Sequence, residues 1–341
     1  MITIREIAQQ LGVSPTTVSN VINGRTAKMS EKTRVRIEKA LVENHYTNEN
    51  TGKVLDAALK LVSVDFCLGE NKEVLTDPFC GSLLEALIRE FRRYGRYVVS
   101  DSPLGSDEII RKINARNIEG GIVLGCHPEQ CAQLQARVPK PLVFIDSGDG
   151  DYDSVGLEDA RGASDMTSYL IRQGHRRIAF FYDHDRVSAS NQERFHGFLD
   201  VMEKRGLEFS PEDCYHLPLQ KHLRYEILRQ FARKKAGKEY TAAFFVCDLY
   251  AHEATNIFEL QGVSVPRDIS VTGFDDNIYA RLSRPLLTTV RQHPEDKARV
   301  AVQLLMKRIY GEPVAVRSVH LPTELIVRES VRNIGAEPMT P

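Results

Sequence analysis

The polar residues between positions 16 and 23 combine hydroxyl and amide groups and follow one face of a predicted helix: Thr16, Thr17, Ser19, Asn20 and Asn23. Such groups can hydrogen-bond to phosphates and to the edges of nucleic-acid bases. Because these side chains are short, the helix backbone can approach a duplex closely. The segment therefore predicts contact with DNA.

Two short helices joined by a tight turn must position this polar face. In the first helix, Thr3 can cap the free N–H groups and Gly12 ends the apolar repeat. In the second, Ser14 is the predicted cap and Pro15 suits the first turn. The apolar stripes comprise Ile4, Ile7, Ala8, Leu11, Val18, Val21 and Ile22. This spacing predicts a helix-turn-helix.

A third helix is predicted from the cap at Ser30 to about Asn44, and it completes a headpiece over residues 1–46. Its predicted core contacts are Val35, Ile37, Leu41 and Val42. From this pattern alone, an ordinary three-helix bundle with a polar surface is the alternative.

Charge is distributed unevenly along the 341 residues. Residues 1–46 carry seven basic and four acidic side chains, a net charge of +3, which leaves −4 for the remainder of the chain. A basic headpiece suits phosphate contact at one end, although solvated surface charge would have the same composition.

Neither a membrane span nor a signal peptide is predicted, so a cytoplasmic location is expected. The six cysteines have no CxxC spacing and are expected to be reduced thiols. The nearest approach to a metal cluster is Cys126, His127 and Cys131, which is weak because cysteine often serves as a small buried apolar residue. We predict no metal and no cofactor.

After a connector at residues 47–59, apolar strand-like runs alternate with helical ones. The predicted strands are 61–66, 97–99, 121–124, 142–145, 177–182, 242–246 and 269–273, and the predicted helices are 82–94, 108–114, 159–173, 192–205 and 224–236. This alternation predicts βαβ units and an α/β fold with two doubly wound parallel-sheet subdomains. The tail after Arg332 is predicted to be loose.

Carboxylates follow several of the predicted strands. Asp77 and Phe79 come after the first, while Asp146, Asp248 and Asp275 each follow a later one. Ligands bind where strand carboxyl ends converge, and carboxylates can accept hydrogen bonds from pairs of sugar hydroxyls. Helix capping is the alternative role for these aspartates, and above all for Asp248.

Several ordered motifs resemble the lactose-repressor (LacI/GalR) family of bacterial transcription regulators. They are the runs 12–14, 17–19, 21–24, 30–34, 174–179, 194–198, 268–276, 285–292 and 321–330. The resemblance implies a periplasmic-binding-protein-like body whose chain crosses between subdomains near residues 158, 290 and 318. The subdomains would comprise 60–158 with 291–318, and 159–290 with 319–331, before a tail at 332–341.

The resemblance also implies roles at the DNA end. Pro15, Thr16 and Asn20 occupy the positions that face base edges, where asparagine can bridge two adenine atoms. Asn20 stands where many members have arginine, so a guanine-centred operator is not assumed. The candidate phosphate contacts are Ser14, Thr17, Ser19, Asn23, Ser30 and Thr33, with capping or surface solvation as the alternative for Ser30 and Thr33.

Family hinges form a short helix whose leucines wedge open the minor groove, and Leu55 is the corresponding candidate, with packing beneath the body as its alternative. Asn48, Glu49 and Gly52 depart from the Pro, Asn and Ala usual at the hinge. A glycine in a helix interior costs about 0.5–1 kcal/mol relative to alanine, so a weak hinge helix is expected.

At the other end, the resemblance places Asp146, Arg194 and Asp275 in the effector pocket, with Phe79, Ser190 and Gln292 nearby, and Asp248 remains a candidate from its strand end. Cys247 replaces a common asparagine and Leu219 replaces a ring-stacking aromatic. A sugar or sugar derivative is therefore the expected effector class, with a nucleobase or other metabolite as the alternative.

The expected function is an effector-controlled repressor that binds a pseudo-palindromic DNA operator as a homodimer, with a tetramer as the alternative and no membrane partner. A cytosolic enzyme is disfavoured because no GxGxxG, P-loop, GxSxG or HExxH pattern occurs at a strand-to-helix junction. A ligand-binding protein that has lost operator binding remains the other alternative. His175 is expected to be structural.

Overall fold

The structure is a computed structural model. It describes residues 3–23, 25–26, 29–44, 46, 59–67, 77–101, 105–115, 118–183, 188–313 and 315–335. Within these residues, no helix is both long enough and apolar enough to span a bilayer.

The headpiece comprises α1 (Ile4–Leu11), α2 (Pro15–Ile22) and α3 (Glu31–Glu43). Thr3 and Glu6 form a reciprocal capping box at α1, and Gly12 ends the helix at φ 65°, a left-handed conformation that glycine adopts without a Cβ clash. The buried core includes Ile7, Val18, Val21, Ile22, Ile37 and Leu41. Val35 is 50% exposed, so its predicted core role is wrong, since it lies on the outer face of α3.

The first lobe contains β1 (Leu61–Phe66), α4 (Pro78–Arg93), β2 (Tyr97–Ser100), α5 (Ser106–Ala115), β3 (Ile118–Leu124), α6 (Pro128–Arg137), β4 (Leu142–Ile145), β5 (Ser154–Leu157), α12 (Pro294–Ile309) and β11 (Ser318–Leu321). Its strands form a parallel sheet in the order β11-β5-β4-β3-β1-β2. Helices cover both faces, as is expected for βαβ units.

The second lobe contains α7 (Asp159–Arg172), β6 (Ile178–Asp183), α8 (Ala189–Lys204), a 3₁₀ turn (Pro211–Asp213), β7 (Cys214–Leu217), α9 (Lys221–Lys234), β8 (Ala242–Phe245), α10 (Asp248–Leu260), β9 (Ser270–Asp275), α11 (Ile278–Leu282), β10 (Thr288–Arg291) and β12 (Glu324–Ile326). Its sheet has the order β12-β10-β9-β8-β6-β7. Only the pairing of β10 with β12 is antiparallel among these described strands.

The chain passes between the lobes at three places. The first passage is at Glu158, between β5 and α7. The second follows Arg291, next to the expected residue 290, and the third follows Leu321, three residues beyond the expected residue 318. These positions are set by the sheets, because β10 pairs with the second sheet up to Arg291 and β11 pairs with the first sheet up to Leu321.

The beginning of the tail packs against the second lobe. The amides of Ile334 and Gly335 both donate to the Gln173 carbonyl oxygen, at 2.8 and 3.2 Å. Gly174 lies beside them at φ 95°, and a Cβ there would come within 2.4 Å of the Gly335 nitrogen. The prediction of a loose chain after Arg332 is therefore wrong for residues 333–335.

Helices α7 and α8 pack closely enough to bring the effector candidate Arg194 against a carboxylate of the neighbouring helix. A Cβ on Gly197 of α8 would lie 2.0 Å from the carbonyl oxygen of Ala160 in α7, so only glycine permits this approach. The contact brings Arg194, one turn earlier on α8, against Asp159 at the start of α7.

Candidate functional site

The polar face of α2 is accessible in the headpiece. Pro15 and Thr16 are exposed and Asn20 is partly exposed, whereas Val18, Val21 and Ile22 on the opposite face are buried. The base-reading candidates therefore lie on the outer surface of the second helix. This is the arrangement by which a recognition helix presents side chains to a major groove.

The predicted phosphate contacts cluster at helix ends. The hydroxyls of Ser14 and Thr17 lie 2.7 Å apart at the start of α2, and those of Ser30 and Thr33 lie 2.8 Å apart at the start of α3. Both serines also accept a backbone N–H bond, so their capping role is present. Asn23 donates to the carbonyl oxygen of Ser19 at the end of α2. Helix amino termini with free N–H groups are suitable phosphate contacts.

The hinge candidate lies outside the described residues. Leu55, together with Asn48, Glu49 and Gly52, falls in the segment 47–58 that separates Tyr46 from Leu59. The minor-groove role of Leu55 therefore stays a prediction from the sequence.

A polar chain connects the two lobes at the carboxyl ends of their strands. Asp146, which follows β4, accepts two hydrogen bonds from the Lys297 ammonium at 2.7 and 2.8 Å. Lys297 also donates to Gln292 Oε1 at 3.0 Å, and Gln292 Nε2 donates to Asp275 Oδ1 at 2.6 Å. The Lys297 ammonium lies 4.8 Å from the ring centre of Phe79. Four predicted effector residues are thus gathered around one lysine.

Lys297 itself was missed by the sequence reasoning. It lies in α12 beside Ala298, Ala301 and Val302, all of them buried. The sequence did contain a signal, because Lys297 occupies a position in the apolar stripe of an amphipathic helix. A lysine at such a position is expected to be paired inside the protein.

Arg194 is buried and only 7% exposed. Its Nε donates to Asp159 Oδ1 at 2.8 Å, and its Nη1 donates to the Val246 carbonyl oxygen at 2.6 Å. The guanidinium carbon is 3.7 Å from the ring centre of Phe274. Burial raises the pKa of Asp159 and the Arg194 charge opposes that shift. The Nε and Nη1 donors of this predicted effector residue are therefore used inside the protein.

Asp248 is enclosed within the second lobe. It is 0% exposed, its Oδ1 accepts from the Thr289 hydroxyl at 2.6 Å, and its Oδ2 accepts from the Asn277 amide at 2.9 Å. Burial, followed by the Asp275 charge, raises its pKa well above the ordinary value. With both oxygens engaged and no exposed surface, this side chain holds α10 to the loop after β9 and to β10.

A cavity of about 490 Å³ lies between the lobes. Asp146 and Ser190, both predicted effector residues, line it from opposite lobes. The other charged groups on its wall are Asp149, Glu158, Asp159, Arg161, Glu193 and His320. Arg161 pairs with Glu158 at 2.9 Å, and His320 lies 3.0 Å from Asp149. The cavity is large enough for a small polar ligand.

Asp275 should give the protein a distinct pH dependence. Burial raises its pKa to about 7, although the Arg194 charge opposes the shift. A raised carboxyl pKa means that its stabilising contribution is present below the ordinary value of 3.8 and is lost as the pH rises to about 7. We expect Asp275→Asn to remove this part of the pH dependence of the unfolding free energy, measured by urea denaturation between pH 4 and 8.

The exposed Asp200→Asn is the matched control for this measurement and should leave the profile unchanged. The profile of Asp275→Asn would contradict the assignment if it kept the full wild-type decline above pH 5. His175 contributes with the opposite sign, because burial lowers its pKa to about 4 and its contribution is lost as the pH falls from 6.5.

His175 has the structural role predicted for it. It is 0% exposed, and its ring nitrogens lie 2.9 Å from the Thr241 hydroxyl and 3.2 Å from the Arg332 carbonyl oxygen. The six cysteines form no disulfide. Cys126 and Cys131 are buried in one apolar cluster against which Cys67 packs.

A helix-turn-helix headpiece joined to two α/β lobes with a polar cleft defines a ligand-responsive DNA-binding protein. Residues 3–49 match the family described as bacterial regulatory proteins, lacI family, and residues 167–331 match the periplasmic binding protein-like domain. The chain belongs to the lacI family of bacterial regulatory proteins, and it is an effector-regulated, DNA-binding regulator of transcription.

The similarity to individual relatives extends over nearly the whole chain. The HTH-type transcriptional repressor PurR of Glaesserella parasuis is 27% identical, covering 98% of this chain and 100% of the relative. The lac repressor dimer bound to operator and the anti-inducer ONPF has a TM-score of 0.76 at 22% identity, covering 97% of this chain and 99% of that one. The complex of the transcriptional regulator CelR with cellobiose has a TM-score of 0.71 at 23% identity, covering 97% and 100%.

Proposed function

We propose that this protein is a repressor that binds a pseudo-palindromic operator as a homodimer and responds to a carbohydrate held between its lobes. The observation that carries the proposal is the pairing of an exposed polar recognition helix with an interlobe cleft. The PurR relative is named a repressor, the lac repressor structure holds an operator, and the CelR structure holds cellobiose.

We infer a dimer from the number of recognition helices in each protomer. Each headpiece offers one recognition helix, and two related by a two-fold axis match an inverted repeat. A tetramer would add a second pair of headpieces. The site of action is the cytoplasm, where the operator lies, and the protein acts by binding rather than by catalysis.

The carbohydrate assignment rests on the chemistry of the cleft. On the cavity wall Asp146 offers carboxylate oxygens and Ser190 a hydroxyl, while Asp275, Gln292 and the aromatic ring of Phe79 are linked to Asp146 through Lys297. Oxygen acceptors beside an aromatic ring suit the hydroxyl pairs and the apolar face of a sugar. Because Lys297 already neutralises Asp146, an uncharged sugar suits this end of the cleft better than an acidic one.

The direct test is the binding of purified protein to the DNA that flanks its own gene. Footprinting should show two protected half-sites, and sedimentation should give a dimer at the same concentration. Neutral sugars, sugar phosphates, sugar acids and nucleobases are then added one class at a time. Protection of an asymmetric site by a monomer would refute the operator model, and a response to nucleobases alone would refute the carbohydrate assignment.

The hinge makes a separate prediction. Leu55→Ala should weaken operator binding and reduce DNA bending, because the leucine wedge that enters the minor groove is gone. Gly52→Ala should instead tighten binding by up to about 1 kcal/mol per hinge if the segment becomes helical on DNA. Both are measured at one salt concentration, with bending followed by fluorescence energy transfer between the operator ends. Weaker binding by Gly52→Ala would contradict a helical hinge.

A further inference from the structure

Lys297 has an unusual position for a lysine. Its side chain is 0% exposed, and an ammonium group that leaves water must regain its interactions inside the protein. Asp146 accepts two of its hydrogen bonds and Gln292 accepts the third, so all three donors are used. The ring of Phe79 adds a cation–π contact. The ammonium is therefore held at one point between three fixed groups.

This contact determines how Gln292 is oriented. A lysine ammonium can only donate, so the amide atom that faces it must be the carbonyl oxygen. The NH₂ group then faces Asp275, to which it donates at 2.6 Å. Gln292 lies in the second passage between the lobes, directly after β10, whereas Lys297 belongs to the first lobe and Asp275 ends β9 in the second.

The two carboxylates at the ends of this chain share a backbone feature. Asp146 has φ 52° and Asp275 has φ 120°, conformations that few non-glycine residues adopt. Asp146 directly follows the buried strand β4 and lines the cavity, and Asp275 is the last residue of the buried strand β9. Strained residues of this kind persist where the surrounding contacts hold them. Lys297 contacts one of these residues directly and the other through Gln292.

We propose that Lys297 is a positioning residue that spans the effector cleft from within the protein, because it fixes Asp146 and Gln292 and ties the first lobe to Asp275 of the second. The bridge holds the lobes together before any effector binds. The proposal concerns the lobes alone, and it stands whether or not the effector is a carbohydrate.

The test compares lobe separation in four variants of the full chain. Dyes are attached through a keto-bearing amino acid at the exposed positions Gln133 in α6 and Glu203 in α8, and labelled protomers are mixed with excess unlabelled protein. Single-molecule energy transfer is recorded without DNA and without effector. Wild type should show one high-transfer population, and Lys297→Met should add a second population of lower transfer.

Two further variants distinguish a bridge between the lobes from a role in which Lys297 only neutralises the Asp146 charge. Gln292→Leu keeps the ion pair but removes the link to Asp275, so it should also show the second population. Asp146→Asn combined with Lys297→Met leaves no unpaired charge at this pair and should recover the unfolding midpoint, yet it should remain open because no lysine of the first lobe donates to Gln292. Lys307→Met, at an exposed position of the same helix, should match wild type.

An unchanged transfer distribution in Lys297→Met and Gln292→Leu would overturn the proposal. So would full closure in the Asp146→Asn, Lys297→Met double variant, which would show that the lysine only neutralises the carboxylate. If Lys297→Met alone does not fold, the double variant and Gln292→Leu still decide the question. Failure of the proposed repressor function would appear separately, as the absence of operator binding.

Discussion

Replacement of Arg194 by alanine is expected to lower the free energy of unfolding by about 3–5 kcal/mol, because it leaves a buried carboxylate without its partner. Asp159 is 5% exposed, and the Arg194 Nε at 2.8 Å is its ion-pair partner. The substitution also removes the guanidinium that stacks on Phe274. Urea denaturation at pH 7 measures the loss.

The matched control removes both charges. Asp159→Asn combined with Arg194→Met should recover most of that stability, since a neutral pair of similar volume has no uncompensated charge. This double variant is then the correct background for the effector test, in which operator binding should persist while the response to effector is lost. If Arg194→Ala lowers the free energy of unfolding by less than about 1 kcal/mol, Asp159 has found another partner. An unchanged effector dose response would reject the pocket assignment.

Asn20→Ala is expected to reduce discrimination at one base pair by about 1–3 kcal/mol in each half-site. In a dimer on an inverted repeat both half-sites change, so the operator complex should lose about 2–6 kcal/mol. Affinity for random DNA should be nearly unchanged, because phosphate contacts supply most nonspecific binding. Titration of operator and random duplexes at one salt concentration measures both quantities.

Thr33→Ala provides the comparison for Asn20. As a proposed phosphate contact, it should weaken binding to operator and random DNA by the same factor. Equal weakening of both duplexes by Asn20→Ala would contradict a base-reading role. The pair of variants therefore separates positioning on the backbone from recognition of sequence.

Local patterns were sufficient for the first two helices of the headpiece. Caps at Thr3 and Ser14, the stop at Gly12 and the apolar repeats act within a few residues of one another, and α1 and α2 begin and end where these signals stand. The alternation of strands and helices likewise predicted the two-lobed α/β body. Helices α6, α10, α11 and α12 and strands β5, β7, β10, β11 and β12 were not predicted, and each of these strands is only three or four residues long. Such short segments become strands through pairing with neighbours that are distant in sequence.

The amino-acid sequence by itself determined that this protein carries a helix-turn-helix and a body with polar groups at strand ends, because both depend on local periodicity and on the direction of parallel strands. Only the tertiary structure decided which of those groups face the cleft. Asp248 is enclosed by Thr289 and Asn277, Arg194 is engaged by Asp159, and Lys297 reaches Asp146 across 151 positions of sequence. Burial and pairing of this kind depend on contacts between distant segments, which no local pattern contains.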